Sequence, residues 1–262
     1  MSKFLRSLFG KIWLRTTPKY IFHGIYRGRS MSSADSLLAG LDQTQIDLLK
    51  EECILVDTND VKVGSASKKD CHLLKNIENG MLHRAFSVFL FNSDNKLLLQ
   101  QRSLAKITYP GHFTNTCCSH PLNMEGEIDE ENAIGVRRAA QRKLKHELGI
   151  EPAQVPVDDF TYLTRIHYFA PNCPNDDKFG EHEIDYILFI RCDVDLDVNE
   201  NEVKSIRYVS QEELQAFISK SESDGTLITP WFQHIVERFL YPWWDNLDKL
   251  DTQLDRQTIH RV

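Results

Sequence analysis

Asn132-Ala-Ile-Gly-Val-Arg-Arg-Ala-Ala-Gln-Arg-Lys-Leu-Lys-His-Glu-Leu-Gly149 is the stretch on which the reading of the chain turns. Ala133, Val136, Ala140, Leu144 and Leu148 recur every three to four residues, which places them on one side of a helix of 3.6 residues per turn. Gly149 offers the left-handed residue with which many helices end, so the spacing predicts an amphipathic helix over Asn132 to Leu148.

Outside this helix the pattern changes to strands. His83 to Phe91 is a β-branched and aromatic run, Asn92-Ser-Asp-Asn has hairpin-turn chemistry, and Lys96 to Gln101 reads as the returning strand. Cys53 to Val56 and Val61-Lys-Val flank a turn at Thr58-Asn-Asp, and further strands are expected at Phe160 to Tyr168, Glu183 to Cys192 and Val203 to Val209. Ser210 and Glu213 form a capping-box pair, and Thr229 with Pro230 opens a final helix. Mixed strands and a few helices indicate an α/β layered fold. A chain of 262 residues, 41% hydrophobic and 26% charged, can fill it with one substantial core. A linker and a short helix with apolar Leu41, Ile46, Leu48 and Leu49 lead into a domain expected over residues 45–262. The apolar runs fall far short of the roughly 20 residues a bilayer span requires, so no stable membrane span is expected.

The net charge of -7 conceals an asymmetry. Lys3, Arg6, Lys11, Arg15, Lys19, Arg27 and Arg29 lie within the acid-free residues 1–34; without these seven, the 31 basic residues fall to 24, against 38 acidic. Phe4, Leu5, Leu8, Phe9, Ile12 and Trp13 recur there at helical spacing, with Lys3, Arg6, Lys11 and Arg15 off that face. An amphipathic, acid-free, arginine-bearing segment has the pattern of a mitochondrial transit peptide rather than a secretory signal. Residues 1–44 therefore read as a basic leader and linker, with Met31 as an alternative start. His260-Arg-Val has the basic-then-apolar form of a degenerate peroxisomal address. Mitochondrial placement is expected, with cytoplasmic and peroxisomal placement as alternatives. Cys53, Cys71, Cys117, Cys118, Cys173 and Cys192 form no CxxC pair and read as thiols of a reducing compartment.

Three segments concentrate reactive side chains: Lys68-Lys-Asp-Cys-His72 with His83 beyond it, Thr114-Asn-Thr-Cys-Cys-Ser-His120-Pro, and Gly180-Glu-His-Glu183-Ile-Asp. Taken singly each is a weak signal, because a lone histidine is more often a surface or hydrogen-bonded core residue than a ligand, and two acids on a strand are usually a solvated face. Residues two apart on a strand share a face, so Glu181 and Glu183 would stand roughly 6 to 7 Å apart at Cα and reach one cation.

Taken together the motifs are more specific. Cys-His-Leu from Cys71, Leu-His-Arg-Ala-Phe-Ser from Leu82, Thr-Asn-Thr-Cys-Cys-Ser-His-Pro from Thr114 and Gly-Glu-His-Glu-Ile-Asp-Tyr from Gly180 resemble the type I isopentenyl-diphosphate isomerase family. The resemblance runs from about residue 44 to the C-terminus. It implies a Nudix-like mixed-sheet α/β/α sandwich, with the helix over Asn132 to Leu148 in the place of the Nudix helix. Arg142, Glu147 and Gly149 keep part of the Nudix pattern, whereas Lys143 and His146 stand where a Nudix hydrolase carries metal-holding glutamates. Diphosphate hydrolysis is therefore the poorer of two enzymatic readings, and a non-catalytic metal-binding module is a third.

By the same resemblance His72, His83, His120, Glu181 and Glu183 would ligate one divalent ion. Imidazole suits zinc and oxygen donors suit harder ions, so Zn²⁺, Mn²⁺ and Mg²⁺ all stay open. Glu147 would help hold a second ion, Mg²⁺, bridging to the substrate diphosphate. Moving an unactivated double bond adds a proton to one carbon and removes another across the three-carbon unit, through a tertiary carbocation-like species that water would capture. The resemblance implies Cys118 as the catalytic thiol, its thiolate favoured by nearby cations, with Cys117 a bystander. Glu183, assisted by Tyr168, would handle the other proton, and Trp231 would face the cation. Lys68, Arg102, Lys106 and the Ser119 hydroxyl would hold the diphosphate. The expected partner is a small allylic or homoallylic diphosphate, with no nucleic acid, and the expected state is a monomer.

Overall fold

The computed structural model describes residues 38–171, 173 and 177–262, and the expected leader over residues 1–34 lies outside them. A compact unit spans Gly40–Val262. It opens with helix α1 (Gln43–Leu48), whose first turn is capped by Asp42, and continues with strands β1 (Glu52–Val56) and β2 (Lys62–Ser67). Two short helices, α2 (Lys68–His72) and α3 (Leu74–Ile77), lead to β3 (His83–Phe91) and β4 (Leu97–Arg102). Then come β5 (Phe113–Thr114), β6 (Cys117–Ser119), helix α4 (Ile134–Leu148), and the long strands β7 (Thr161–Ala170) and β8 (Glu181–Arg191). β9 (Val203–Val209), α5 (Gln211–Asp224), α6 (Pro230–Ile235), α7 (Tyr241–Trp244) and β10 (Ile259–Arg261) complete the unit.

One mixed sheet runs β10-β7-β8-β3-β1-β2, with β6 and β4 also joined to β3, and β5 and β9 joined to β4. β3 and β8 are parallel from His83↔Glu183 to Phe91↔Arg191. A central parallel pair is covered on both faces, which is why every residue of β3 is buried. Alternation then sorts the side chains. Phe86, Val88, Leu90, Ile184 and Leu188 pack with Val136, Ala140, Leu144 and Leu148 of α4 in one core. Phe89, Phe91, Ile187 and Phe189 pack with Trp231, Phe232 and Ile235 of α6 in a second. Helices on both faces of a mixed sheet make the α/β/α sandwich expected from the sequence.

Three local expectations need correction. Helix α4 begins at Ile134, not Asn132, because Asn132 and Ala133 adopt left-handed backbone (φ 49 and 55). The chain bends there to bring Gly135 against the preceding loop, where a Cβ would meet Glu127 O at 2.3 Å and Asp129 O at 2.7 Å. Gly135→Ala is accordingly expected to cost about 1–3 kcal/mol through overpacking against backbone, read as a lowered urea midpoint. Gly149, at φ 70, ends the helix as expected.

The returning strand after the Asn92 turn leaves its hairpin partner. β4 pairs β3 only at Phe91↔Leu97 and then runs along β9. The Thr116 hydroxyl fills the gap, accepting from Leu90 N (2.9 Å) and donating to Leu98 O (2.7 Å). The helix from Pro230 is the third departure: α6 passes through a π turn (Val236–Leu240) into α7, which accommodates Pro242 and its missing N–H. Thr229 supplies no side-chain cap there; its hydroxyl donates to Thr114 Oγ1 at 2.8 Å. Ser210 and Glu213 do form the capping box.

Candidate active site

Strand register assembles the site. Tyr168 of β7, Glu183 of β8 and His83 of β3 stand side by side across three strands, and Ser87 faces Cys118 across the β3–β6 pair. α2 delivers His72, and the chain leaving β6 delivers His120. The result is a group of five buried ligands, His72, His83, His120, Glu181 and Glu183, whose ligand atoms all lie within 4.8 Å of one another.

The donor set fits a divalent cation. His72 Nδ1 is bonded to Lys68 O at 2.6 Å, leaving Nε2 directed at Glu181 Oε2, 3.0 Å away. His120 Nε2 and His83 Nε2 approach the same oxygen, Glu183 Oε1, at 2.8 and 3.2 Å. Close as these approaches are, neither His83 Nε2 nor Glu181 Oε2 is aligned for a hydrogen bond, and His83 Nδ1 and His120 Nδ1 are likewise buried without one. Buried polar atoms left in this condition are costly, and a cation would satisfy several at once. Burial, reinforced by the His83 and His72 rings, holds His120 well below the ordinary imidazole value, in the neutral form a ligand requires. Burial pushes Glu183 upward, but the His83 and His72 rings and the Tyr168 hydroxyl together outweigh it and hold the group below the usual carboxylate value.

Next to this cluster lies a cleft enclosing about 670 Å³ including its open mouth. Its walls include Lys68, Arg102, Lys106, Cys118, Ser119, Tyr168, Glu183 and Trp231. Cys117 points the opposite way, into the core under α4. The Cys118 thiol donates to Asn115 Oδ1 at 2.8 Å and accepts from Trp231 Nε1 at 3.0 Å. The cations expected to favour a thiolate are not among the sulfur's hydrogen-bond partners. Burial pushes the thiol up to about 12, and the groups that hydrogen-bond the sulfur, Asn115, Trp231, Thr114 and Ser87, are all uncharged. Tyr168 donates its hydroxyl proton to Glu183 Oε2.

The cations at the cleft are held in different ways. Lys106 is paired with Glu202, and burial lowers its pKa to about 8 despite that carboxylate. Arg102 donates to the carbonyls of Thr108 and Tyr109 and lies 5.7 Å from the centroid of the Trp231 ring. Lys68 is 4.0 Å from Glu51. Glu147 stands apart from the five-ligand cluster. Its Oε1 faces Lys143 Nζ at 3.2 Å and its Oε2 accepts from Gln100 at 3.0 Å, so an ion there would have to displace the lysine.

Sequence reasoning assigned no role to Ser87, Asn115, Glu127 or Asp185. Ser87 and Asp185 continue the alternation of His83 and of Glu181 and Glu183, a period-two signal that was available. Glu127 gave no such signal: it accepts from Arg142 (2.5 and 2.9 Å) and from Leu122 N, and Arg142 in turn donates to His120 O. That arrangement fixes the loop carrying His120 and exists only once α4 is docked.

Comparisons with known proteins agree with this geometry. A family model described as the NUDIX domain matches residues 81–232. Isopentenyl-diphosphate Delta-isomerase 1 of Bos taurus is 58% identical over 222 residues, covering 85% of this chain and 96% of that protein. Isopentenyl-diphosphate delta-isomerase of Gibberella zeae is 52% identical, with 88% and 91% covered, and the chloroplastic isopentenyl-diphosphate Delta-isomerase II of Arabidopsis thaliana 51% identical, with 90% and 84% covered. The solved structure of DR0079 from Deinococcus radiodurans superposes with a TM-score of 0.50 at 21% identity, covering 72% of this chain and 99% of that one, a likeness of fold alone.

Proposed function

Because this chain belongs to the isopentenyl-diphosphate delta-isomerase family, built on a Nudix fold, we propose that it moves the double bond with Cys118 and Glu183 as its two proton-handling groups. The chain interconverts isopentenyl and dimethylallyl diphosphate, and neither the hydrolase nor the non-catalytic reading is favoured. The observation that carries the residue assignment is that the Cys118 sulfur and the Glu183 carboxylate line one cleft together with Tyr168 and Trp231.

In the direction from isopentenyl diphosphate, the Cys118 S–H gives its proton to the terminal methylene carbon, which becomes a methyl group. The Glu183 carboxylate takes a proton from the carbon nearer the diphosphate, and the reverse reaction exchanges these roles. Tyr168 holds the Glu183 carboxylate by its hydroxyl, and the indole of Trp231 lends its face to the transient positive charge. Lys68, Arg102, Lys106 and Ser119 hold the diphosphate at the mouth.

His72, His83, His120, Glu181 and Glu183 would hold one divalent ion, whose fixed charge would set the acidity of Glu183. Three imidazoles among five ligands favour Zn²⁺ or Mn²⁺ there over Mg²⁺. The Mg²⁺ expected with the diphosphate has no open seat at Glu147 while Lys143 and Gln100 occupy its oxygens. We read residues 1–44 as a leader and linker that favour mitochondrial placement. The rival peroxisomal address, His260-Arg-Val, would have to leave β10 and its pairing with β7 to be read.

Two measurements test this reading. In deuterated water, proton NMR of the purified chain with isopentenyl diphosphate is expected to show deuterium entering the product's methyl group; release of phosphate instead would favour the hydrolase. Lys106 must be charged to bind diphosphate, and its pKa of about 8 predicts that kcat/KM falls as pH rises through that value. Lys106→Arg, charged throughout, is expected to lose that limb of the profile.

A further inference from the structure

The Cys118 sulfur is flanked by two buried hydroxyls not yet given any part in the reaction. Thr114 Oγ1 lies 3.5 Å and Ser87 Oγ 3.7 Å from Sγ. Each has a closer acceptor than the sulfur: Thr114 donates to Asn115 Oδ1 at 2.9 Å and Ser87 to Asp185 Oδ2 at 2.8 Å. The Asn115 amide is oriented by its own donors, Nδ2 bonding Val88 O at 3.0 Å and Cys117 O at 3.2 Å. Its Oδ1 is thereby turned to the sulfur, where it accepts the thiol proton. Thr114 Oγ1 is anchored by the proton it accepts from Thr229.

This surrounding suits a neutral thiol and fails an anionic one. When the S–H bond breaks and the proton forms the new C–H bond, the electron pair stays on sulfur. Asn115 Oδ1, an acceptor only, then faces negative charge, and the donors already directed at the sulfur are Trp231 Nε1 at 3.0 Å and, at the long distance of 3.7 Å, the Ser87 hydroxyl. A buried anion without donors is costly. A hydroxyl proton swings about its C–O bond with no movement of heavy atoms.

We propose that Thr114 and Ser87 form a paired hydroxyl switch: as charge develops on Cys118, their protons turn from Asn115 and Asp185 to the sulfur. No O–H bond breaks; only hydrogen bonds exchange. They are positioning residues acting on the thiol as an oxyanion hole acts on a developing alkoxide, and the proposal rests on the reading of Cys118 as the proton-handling group.

The test pairs near-isosteric deletions, Thr114→Val and Ser87→Ala, with hydroxyl-retaining swaps, Thr114→Ser and Ser87→Thr. Each deletion is expected to lower kcat by about 10-fold, less than a full oxyanion-hole donor because sulfur is the weaker acceptor, with KM for isopentenyl diphosphate unchanged. Iodoacetamide alkylation of Cys118 at one fixed pH, followed by mass spectrometry of its peptide, is expected to slow in the deletions and recover in the swaps. If kcat falls without slower alkylation, or if the swaps fail to recover it, the hydroxyls act through packing and the switch is wrong. Cys118→Ala is measured alongside. Retained turnover in that variant overturns the thiol assignment and the switch together, whereas an inactive Cys118→Ala with fully active deletions overturns the switch alone.

Discussion

Cys118→Ala is expected to reduce isomerisation by about 10²–10⁴-fold, the range over which a positioned acid or base accelerates proton transfer. The variant loses one sulfur from a site that keeps its carboxylate, its cations and its five-ligand cluster, so diphosphate binding and bound metal should persist. Cys117→Ala supplies the contrast. That thiol is fully buried under α4 and held protonated by burial, so its removal should affect stability and leave turnover within a few-fold. The paired result separates chemistry from packing at adjacent positions. Equal turnover losses in the two variants, or none in either, would remove Cys118 from the mechanism.

Glu183→Gln should produce a loss of similar size for a compound reason. Its Oε1 faces two imidazoles of the cluster and its Oε2 accepts from Tyr168, so in the proposed reaction one carboxylate would serve both the ion and the proton. Glu181 lies two residues earlier on the same face and would serve as a ligand only. Glu181→Gln should lower metal content, measured by elemental analysis, and regain much of its turnover in excess divalent ion. Glu183→Gln should stay inactive under the same saturation, because added metal cannot restore a missing proton acceptor. Recovery of Glu183→Gln by metal would assign that residue to coordination alone. Removing either partner of a buried charged group also destabilises, typically by about 3–5 kcal/mol, so a lowered melting temperature in both variants is expected and does not discriminate between them.

Much of the candidate site was legible because it rests on local rules. The period-two alternation of a strand put Glu181 and Glu183 on one face, and the spacing of Val136, Ala140, Leu144 and Leu148 identified the buried side of α4. Gly149 ended that helix where a left-handed residue was needed. The start of the same helix was misread because its cause lies outside it: Gly135 sits against the carbonyls of Glu127 and Asp129, a contact no local propensity encodes. Likewise β4 followed its hairpin for one pair and then crossed to β9, since Thr116, distant in sequence, occupied the space between the strands.

By itself, then, the sequence determined most of the elements, the inward-facing side of each, and the pairing of Glu181 with Glu183 on one face, while the full set of candidate metal-binding and proton-handling side chains came from the family resemblance. The first three follow from backbone periodicity and side-chain chemistry, which act over a few residues. Only the tertiary structure decided that the Cys118 sulfur lies among uncharged partners, that Lys143 occupies Glu147, and that Ser87 and Thr114 attend the sulfur. Each depends on what burial excludes and which distant groups remain within hydrogen-bond reach, and desolvation is a property of the packed core that no short stretch of chain carries.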